Sequence, residues 1–173
     1  ADILLTHGYF LHEDEKEQQI MRPYPPLGLL YLSAYLKHAG FDVDLYDSTL
    51  GTREELFARL SEGPPAIVGL YTNLMTRAAV IDITAAARAR GWTVVLGGPE
   101  SANYPVEYLG HGADVIVVGE GEATLAELIP AIARHGVHRL HAVAGLVFRD
   151  ETGAAVTTTP RPQIADLDSL PWP

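Results

Sequence analysis

The chain has no cysteine, two methionines, two tryptophans and a shortage of positive charge. Without thiols there can be no disulfide, no thiolate zinc site and no iron–sulfur ligation within these residues. Twelve Lys and Arg stand against 22 Asp and Glu, a formal net charge of −10. Binding a phosphate backbone needs clustered positive charge, so a nucleic-acid partner is not expected. No apolar run reaches the ~18 residues of a membrane-spanning helix, so a soluble, cytoplasmic chain is expected. What is present is ordinary for a globular protein: 47% hydrophobic and 20% charged residues in a length of 173. That suits one domain, or one domain with a tail, and argues against disorder over most of it. The chain begins at Ala1 and ends Leu170-Pro171-Trp172-Pro173, and both ends read as cuts in a longer polypeptide.

The apolar pattern predicts short strands alternating with helices. Asp2–Thr6, Phe41–Tyr46, Ala66–Tyr71, Trp92–Leu96 and Asp114–Val118 read as strands. Leu27–Ala39, Thr52–Leu60, Arg77–Arg90 and Ala123–His135 read as helices, with Gly40, Gly91 and Gly136 as stops. Thr52 followed by Glu55 has the spacing of a capping box. Ile67-Val68-Gly69-Leu70 and Val115-Ile116-Val117-Val118 lack polar alternation, as strands covered on both faces do. Right-handed crossovers then give a doubly wound α/β sandwich with a five-stranded parallel sheet. Such sheets bind ligands beyond the carboxyl ends of their strands, at the point where strand order reverses. The informative segments are therefore 7–26, 47–51, 71–76, 97–104 and 119–122. Gly145–Arg149 and Ala155–Thr158 flank a Gly-containing turn and read as a β-hairpin. With few apolar residues of its own, the hairpin is expected to be a marginal appendage. The Pro-rich stretch after it reads as a linker. The expected division is an α/β domain at 1–142, then a hairpin and linker at 143–173.

The order and spacing of several segments carry a resemblance. They are Arg22-Pro23-Tyr24-Pro25-Pro26-Leu27-Gly28 before a helix, Val94-Val95-Leu96-Gly97-Gly98-Pro99, Gly112-Ala113-Asp114 leading to Gly119-Glu120-Gly121-Glu122, and Asp166-Leu167-Asp168-Ser169-Leu170-Pro171. Together they resemble the N-terminal cobalamin (B12)-binding domain of B12-dependent radical SAM enzymes. The resemblance implies a flavodoxin-like (Rossmann-like) fold and bound cobalamin. It also implies a downstream radical SAM barrel in the same polypeptide, most often of a methyltransferase. The 4Fe-4S cluster and S-adenosylmethionine would then be held by that barrel, outside this chain, and the fragment alone would be inactive. In methionine synthase-like B12 domains an Asp-x-His-x-x-Gly motif supplies a histidine ligand to cobalt. Here Gly28 stands for the final Gly, but Pro23, Pro25 and Pro26 precede it without an imidazole. The resemblance therefore implies base-off, His-off cobalamin. His7 reads as a polar strand-end residue, and His12 as part of a solvated acidic stretch.

The resemblance assigns cofactor contacts to the strand-end loops. Tyr9, Pro26 and Gly28 lie in the first, and Tyr71, Thr72, Asn73 and Leu74 after the third strand. Gly97, Gly98, Pro99 and Glu100 follow the fourth, and Gly119 and Glu120 the fifth. Glycines at strand ends admit another molecule close to the backbone. Gly97-Gly98 is also consistent with a tight turn, and Thr72 or Asn73 with a helix cap, though ligand contact is the favoured reading. Glu120 and Glu122 lack a nucleophile or ligand set beside them, and Glu122 suits the start of a helix. No catalytic residue or metal ligand is assigned. The absence of Gly-x-Gly-x-x-Gly after the first strand and of Gly-Lys-Ser/Thr weakens dinucleotide and P-loop readings. Two alternatives stay open: a scaffold that keeps the fold without cobalamin, and a domain for another nucleotide-like ligand.

Overall fold

A computed structural model describes residues 1–173. Five strands run parallel in the order β2-β1-β3-β4-β5: β1 (Ile3–His7), β2 (Val43–Leu45), β3 (Ile67–Tyr71), β4 (Thr93–Gly97) and β5 (Val115–Val117). The sheet does not stop there. β6 (Leu146–Arg149) pairs antiparallel with β5, and β7 (Ala155–Thr157) pairs with β6, making seven strands in place of the expected five.

The helices are α1 (Glu15–Ile20), α2 (Leu27–His38), α3 (Arg53–Ser61), α4 (Arg77–Ala89), α5 (Pro99–Asn103), α6 (Pro105–Gly110) and α7 (Glu122–His135). The short α1, α5 and α6 lie in segments the apolar pattern left as loops. α3 starts with the expected capping box: the Thr52 side chain accepts from the Glu55 amide, and the Glu55 carboxylate accepts from the Thr52 amide at 2.9 Å. No helix is long and apolar enough to cross a membrane.

Strand side chains alternate between two apolar cores, because successive Cβ atoms point to opposite faces. Leu4, Val68, Val94 and Ile116 join Leu56, Leu60, Val80, Ile83 and Tyr108 of α3, α4 and α6. Ile3, Leu5, Val95, Val115 and Val117 join Leu29 and Leu36 of α2 and Leu125, Leu128 and Ile129 of α7. Both faces are covered, which is why the strands carry no polar alternation.

The hairpin belongs to this core. Leu146 and Phe148 enter the α2–α7 side and Val147 the other, all three buried. The expectation of a marginal appendage fails because pairing with β5 places these side chains in line with its own. We expect Phe148→Ala to cost ~3–5 kcal/mol, the range for truncating a buried aromatic. Urea denaturation should show it as a loss from one cooperative transition. A loss below about 1 kcal/mol would mean that the hairpin folds as a separate, dispensable unit.

Candidate functional site

The strand order reverses at β1: the chain leaves it on one side for β2 and crosses to the other for β3. The carboxyl ends of β1 and β3 therefore open on a crevice. The register explains what lines it. Leu5, Gly69 and Val95 form one cross-sheet row, and His7, Tyr71 and Gly97 the next row on the same face toward the carboxyl ends.

Two clefts meet there. A slot of about 240 Å³ descends from the sheet edge between α2 and α7. Its deeper wall is Leu5, Leu29, Leu32, Gly69, Val95 and Leu125, and its mouth is Tyr71, Gly97, Gly119 and Glu120. A broader shelf of about 400 Å³ lies above the ends of β1 and β3, among His7, Tyr9, Tyr24, Thr49, Asn73 and the Pro25-Pro26-Leu27 arch. Gly28, Leu29 and Tyr71 line both, so the two spaces join at the start of α2.

Most of the residues proposed from the sequence converge here. Gly28, Tyr71, Gly97, Gly98, Gly119 and Glu120 border the slot, and Tyr9, Pro26, Gly28, Tyr71 and Asn73 the shelf. Thr72, Leu74, Pro99 and Glu100 lie outside both. Thr72 is fully buried, and its hydroxyl donates to the Gly97 carbonyl at 2.8 Å and accepts from the Ser101 amide at 3.0 Å. That hydroxyl ties β3 to β4 and α5 and faces no cleft. Glu100 is also buried and pairs with Arg77 at 3.1 Å. Asn73 caps the turn before α4 by accepting from the Thr76 amide, and still borders the shelf.

The adjacent glycines do different things. Gly98 has φ +99°, and a Cβ there would run into the Thr72 carbonyl and stand 2.9 Å from the Thr72 nitrogen. It is glycine because the turn into α5 requires it. Gly97 keeps ordinary backbone angles, and a Cβ there would meet nothing within 4 Å. The same is true of Gly28. These two positions leave open space inside the clefts that any other residue would narrow.

His7 is buried, with both ring nitrogens engaged. Nδ1 accepts from the Tyr9 amide at 3.1 Å, so the proton sits on Nε2, which donates to Asp47 Oδ1 at 2.8 Å. The Ser48 hydroxyl lies 3.0 Å from Nδ1 and donates to the His7 carbonyl at 2.7 Å. Burial raises the Asp47 pKa, but hydrogen bonds from Thr49 and His7 outweigh it and hold the carboxyl below its usual range. His12 is half-exposed beside Glu13 and borders neither cleft.

Glu120 has a role that its sequence position hides. Its carboxylate accepts from the Ile164 amide at 2.6 Å, and Arg161 pairs with Glu127 of α7 through both terminal nitrogens. Gly145 donates to the Thr159 carbonyl at 2.8 Å. Segment 158–164 is thus strapped along α7 beside the slot mouth rather than hanging free. We expect Glu120→Ala to speed amide exchange at Ile164 roughly tenfold, as loss of a bond to a charged acceptor should. Glu120→Gln should restore most of the protection. Hydrogen exchange resolved at Ile164 checks this, and an unchanged rate in Glu120→Ala would show that the amide is protected by something else.

The wall residues Leu5, Leu29, Leu32, Val95, Val117 and Leu125 were not legible as site residues, since in sequence they look like any buried strand or helix position. Gly69 was the one signal, a glycine inside an apolar strand. In the structure its missing side chain makes room for Leu5, whose Cδ2 would lie 2.8 Å from a Cβ there.

Fold and clefts together define a doubly wound domain with two clefts at the topological switch. The chain belongs to the B12 binding domain family, whose model matches residues 20–129. It is 35% identical over 152 residues to the anaerobic magnesium-protoporphyrin IX monomethyl ester cyclase of Synechocystis sp., covering 83% of this chain and 30% of that protein. It is 30% identical over 155 residues to an uncharacterized methyltransferase of Pyrococcus horikoshii, covering 86% and 33%. The chain thus spans about a third of the length of these relatives. The cobalamin-dependent S-adenosylmethionine radical enzyme OxsB, solved with aqua-cobalamin and S-adenosylmethionine bound, has the same fold at a TM-score of 0.73 and 22% identity. The match covers 93% of this chain and 22% of that one.

Proposed function

We propose that this domain binds cobalamin, with the corrin on the shelf and the nucleotide tail in the slot, as one module of a cytoplasmic B12-dependent radical SAM enzyme of the methyltransferase class. The observation that carries the reading is the pair of joined clefts with Cβ-free walls at Gly28 and Gly97, in a chain of the B12 binding domain family. Tyr9, Tyr24, Pro26 and Asn73 would border the ring, and Leu5, Leu29, Val95, Gly97 and Leu125 the tail. When bound, the corrinoid supplies a cobalt centre able to carry a one-carbon group. The chain's own residues orient the ring at the sheet edge and keep water from the tail. With no cysteine, the chain leaves the iron–sulfur cluster and S-adenosylmethionine to a barrel elsewhere in the polypeptide.

Gly97→Val tests the site. A β-branched residue suits a strand, and open space surrounds the position, so the fold should be retained. We expect hydroxocobalamin affinity to fall at least tenfold, read by the colour kept after desalting and by titration. Wild-type protein that stays colourless would identify the domain as a scaffold. An unchanged affinity in folded Gly97→Val would remove the slot from the site.

The cobalamin should be held base-off and without a histidine ligand. The prolines at 23, 25 and 26 and the double engagement of His7 support this. The EPR spectrum of bound cob(II)alamin should lack axial nitrogen splitting. A splitting that changes when the protein carries ¹⁵N-histidine would overturn the His-off reading.

A further inference from the structure

The deep part of the slot has a chemical character that constrains what can enter it. Its floor is formed by Leu5, Gly69 and Val95 side by side on adjacent strands. The backbone groups of that row are paired in the parallel ladder. Leu29 and Leu32 of α2 and Leu125 of α7 close the sides. No hydroxyl, amide, imidazole or charged side chain lies among these six. The polar side chains of the slot, Tyr71, Glu120 and Glu122, stand at the strand-end mouth, and the Glu120 carboxylate is engaged by the Ile164 amide. At about 240 Å³ the slot, mouth included, exceeds the ~150 Å³ at which an apolar cavity takes up benzene, so an aromatic base of one or two rings has room there.

We infer that the slot selects among cobamides by their lower base, taking apolar aromatic bases and rejecting purines. The inference rests on the cobalamin reading above and names the class of corrinoid within it. An adenine base would bring an exocyclic amine and ring nitrogens against six side chains that offer no hydrogen-bond partner. Each buried polar group left unpaired weakens binding, whereas the methyl groups of dimethylbenzimidazole gain by leaving water. An apolar pocket rejects a competitor that only adds polar atoms by up to about a hundredfold, which sets the upper end of the expected discrimination. The residues that set it are Leu5, Val95 and Leu125, with Gly97 keeping the space open.

The test is a titration of the wild-type domain with four probes: cobalamin, an adeninyl cobamide, a p-cresolyl cobamide and tail-less cobinamide. Cobalamin and the p-cresolyl cobamide should bind between about ten and a hundredfold more tightly than the adeninyl cobamide. Adenine releases cobalt more readily than dimethylbenzimidazole, which alone would favour the adeninyl form, so the expected order reports the slot and not the cobalt. The p-cresolyl base, which cannot ligate cobalt, removes that step altogether. Cobinamide should bind more weakly than cobalamin. Equal affinity for the adeninyl and benzimidazolyl cobamides overturns the selection while leaving the cobalamin reading in place. Cobinamide binding as tightly as cobalamin overturns it too, because the tail then lies outside the slot. Failure of all four probes to bind overturns the cobalamin reading itself, and the selection with it.

Discussion

The reversal of strand order at β1 is the constraint on which the rest of this structure depends. Because β2 and β3 lie on opposite sides of β1, the connection carrying α2 and the one carrying α3 fall on opposite faces of the sheet. The carboxyl ends of β1 and β3 are left with a crevice that no crossover fills. α2 begins at the rim of that crevice, and α7 packs beside it on the same face. The slot exists because these two helices straddle the sheet there without closing over the row Leu5–Gly69–Val95.

What the crevice can hold is then a matter of side-chain size. On the α3–α4 face the strand residues are large, and the helices pack down on them as an ordinary core. On the α2–α7 face, glycine at 97 and at 28 withholds the atoms that would make the same kind of core. Both positions tolerate a side chain locally, so the absence of one is not required by the backbone. Gly98 is the contrast: its positive φ and the proximity of Thr72 require glycine whatever the ligand. Adjacent residues of identical type therefore answer to different constraints, one to a turn and one to a space.

The C-terminal segment is tied to the mouth of the slot. β6 contributes Leu146, Val147 and Phe148 to both cores, and the residues beyond β7 return along α7 to meet Glu120 and Glu127. A carboxylate at the slot mouth is thereby joined by one hydrogen bond to the strand of chain leading out of the domain. Movement of that chain and the shape of the mouth share a common fixed point. The exposed Trp172 lies beyond this anchor, at the end of the segment so held.

The sequence by itself determined the layered architecture, because local periodicity reports it. Unbroken apolar strands, glycine-stopped helices and the Thr52–Glu55 cap are properties of neighbouring residues, and they were legible without coordinates. The same holds for the region of the clefts, which lie at the strand-end loops as in any doubly wound sheet. Only the tertiary structure decided which residues of those loops face a cleft. Thr72 and Glu100 carry the polar groups a ligand site would want, yet burial against Ser101 and Arg77 uses them internally. Val95 and Leu125 are buried in the α2–α7 core and also line the cleft, a double role that depends on what the fold brings opposite them. The place of the hairpin in the sheet rests on pairing with β5, a contact between distant segments that local pattern does not show. Short-range propensity is written along the chain, whereas the choice between packing against protein and facing a space depends on what the fold brings opposite.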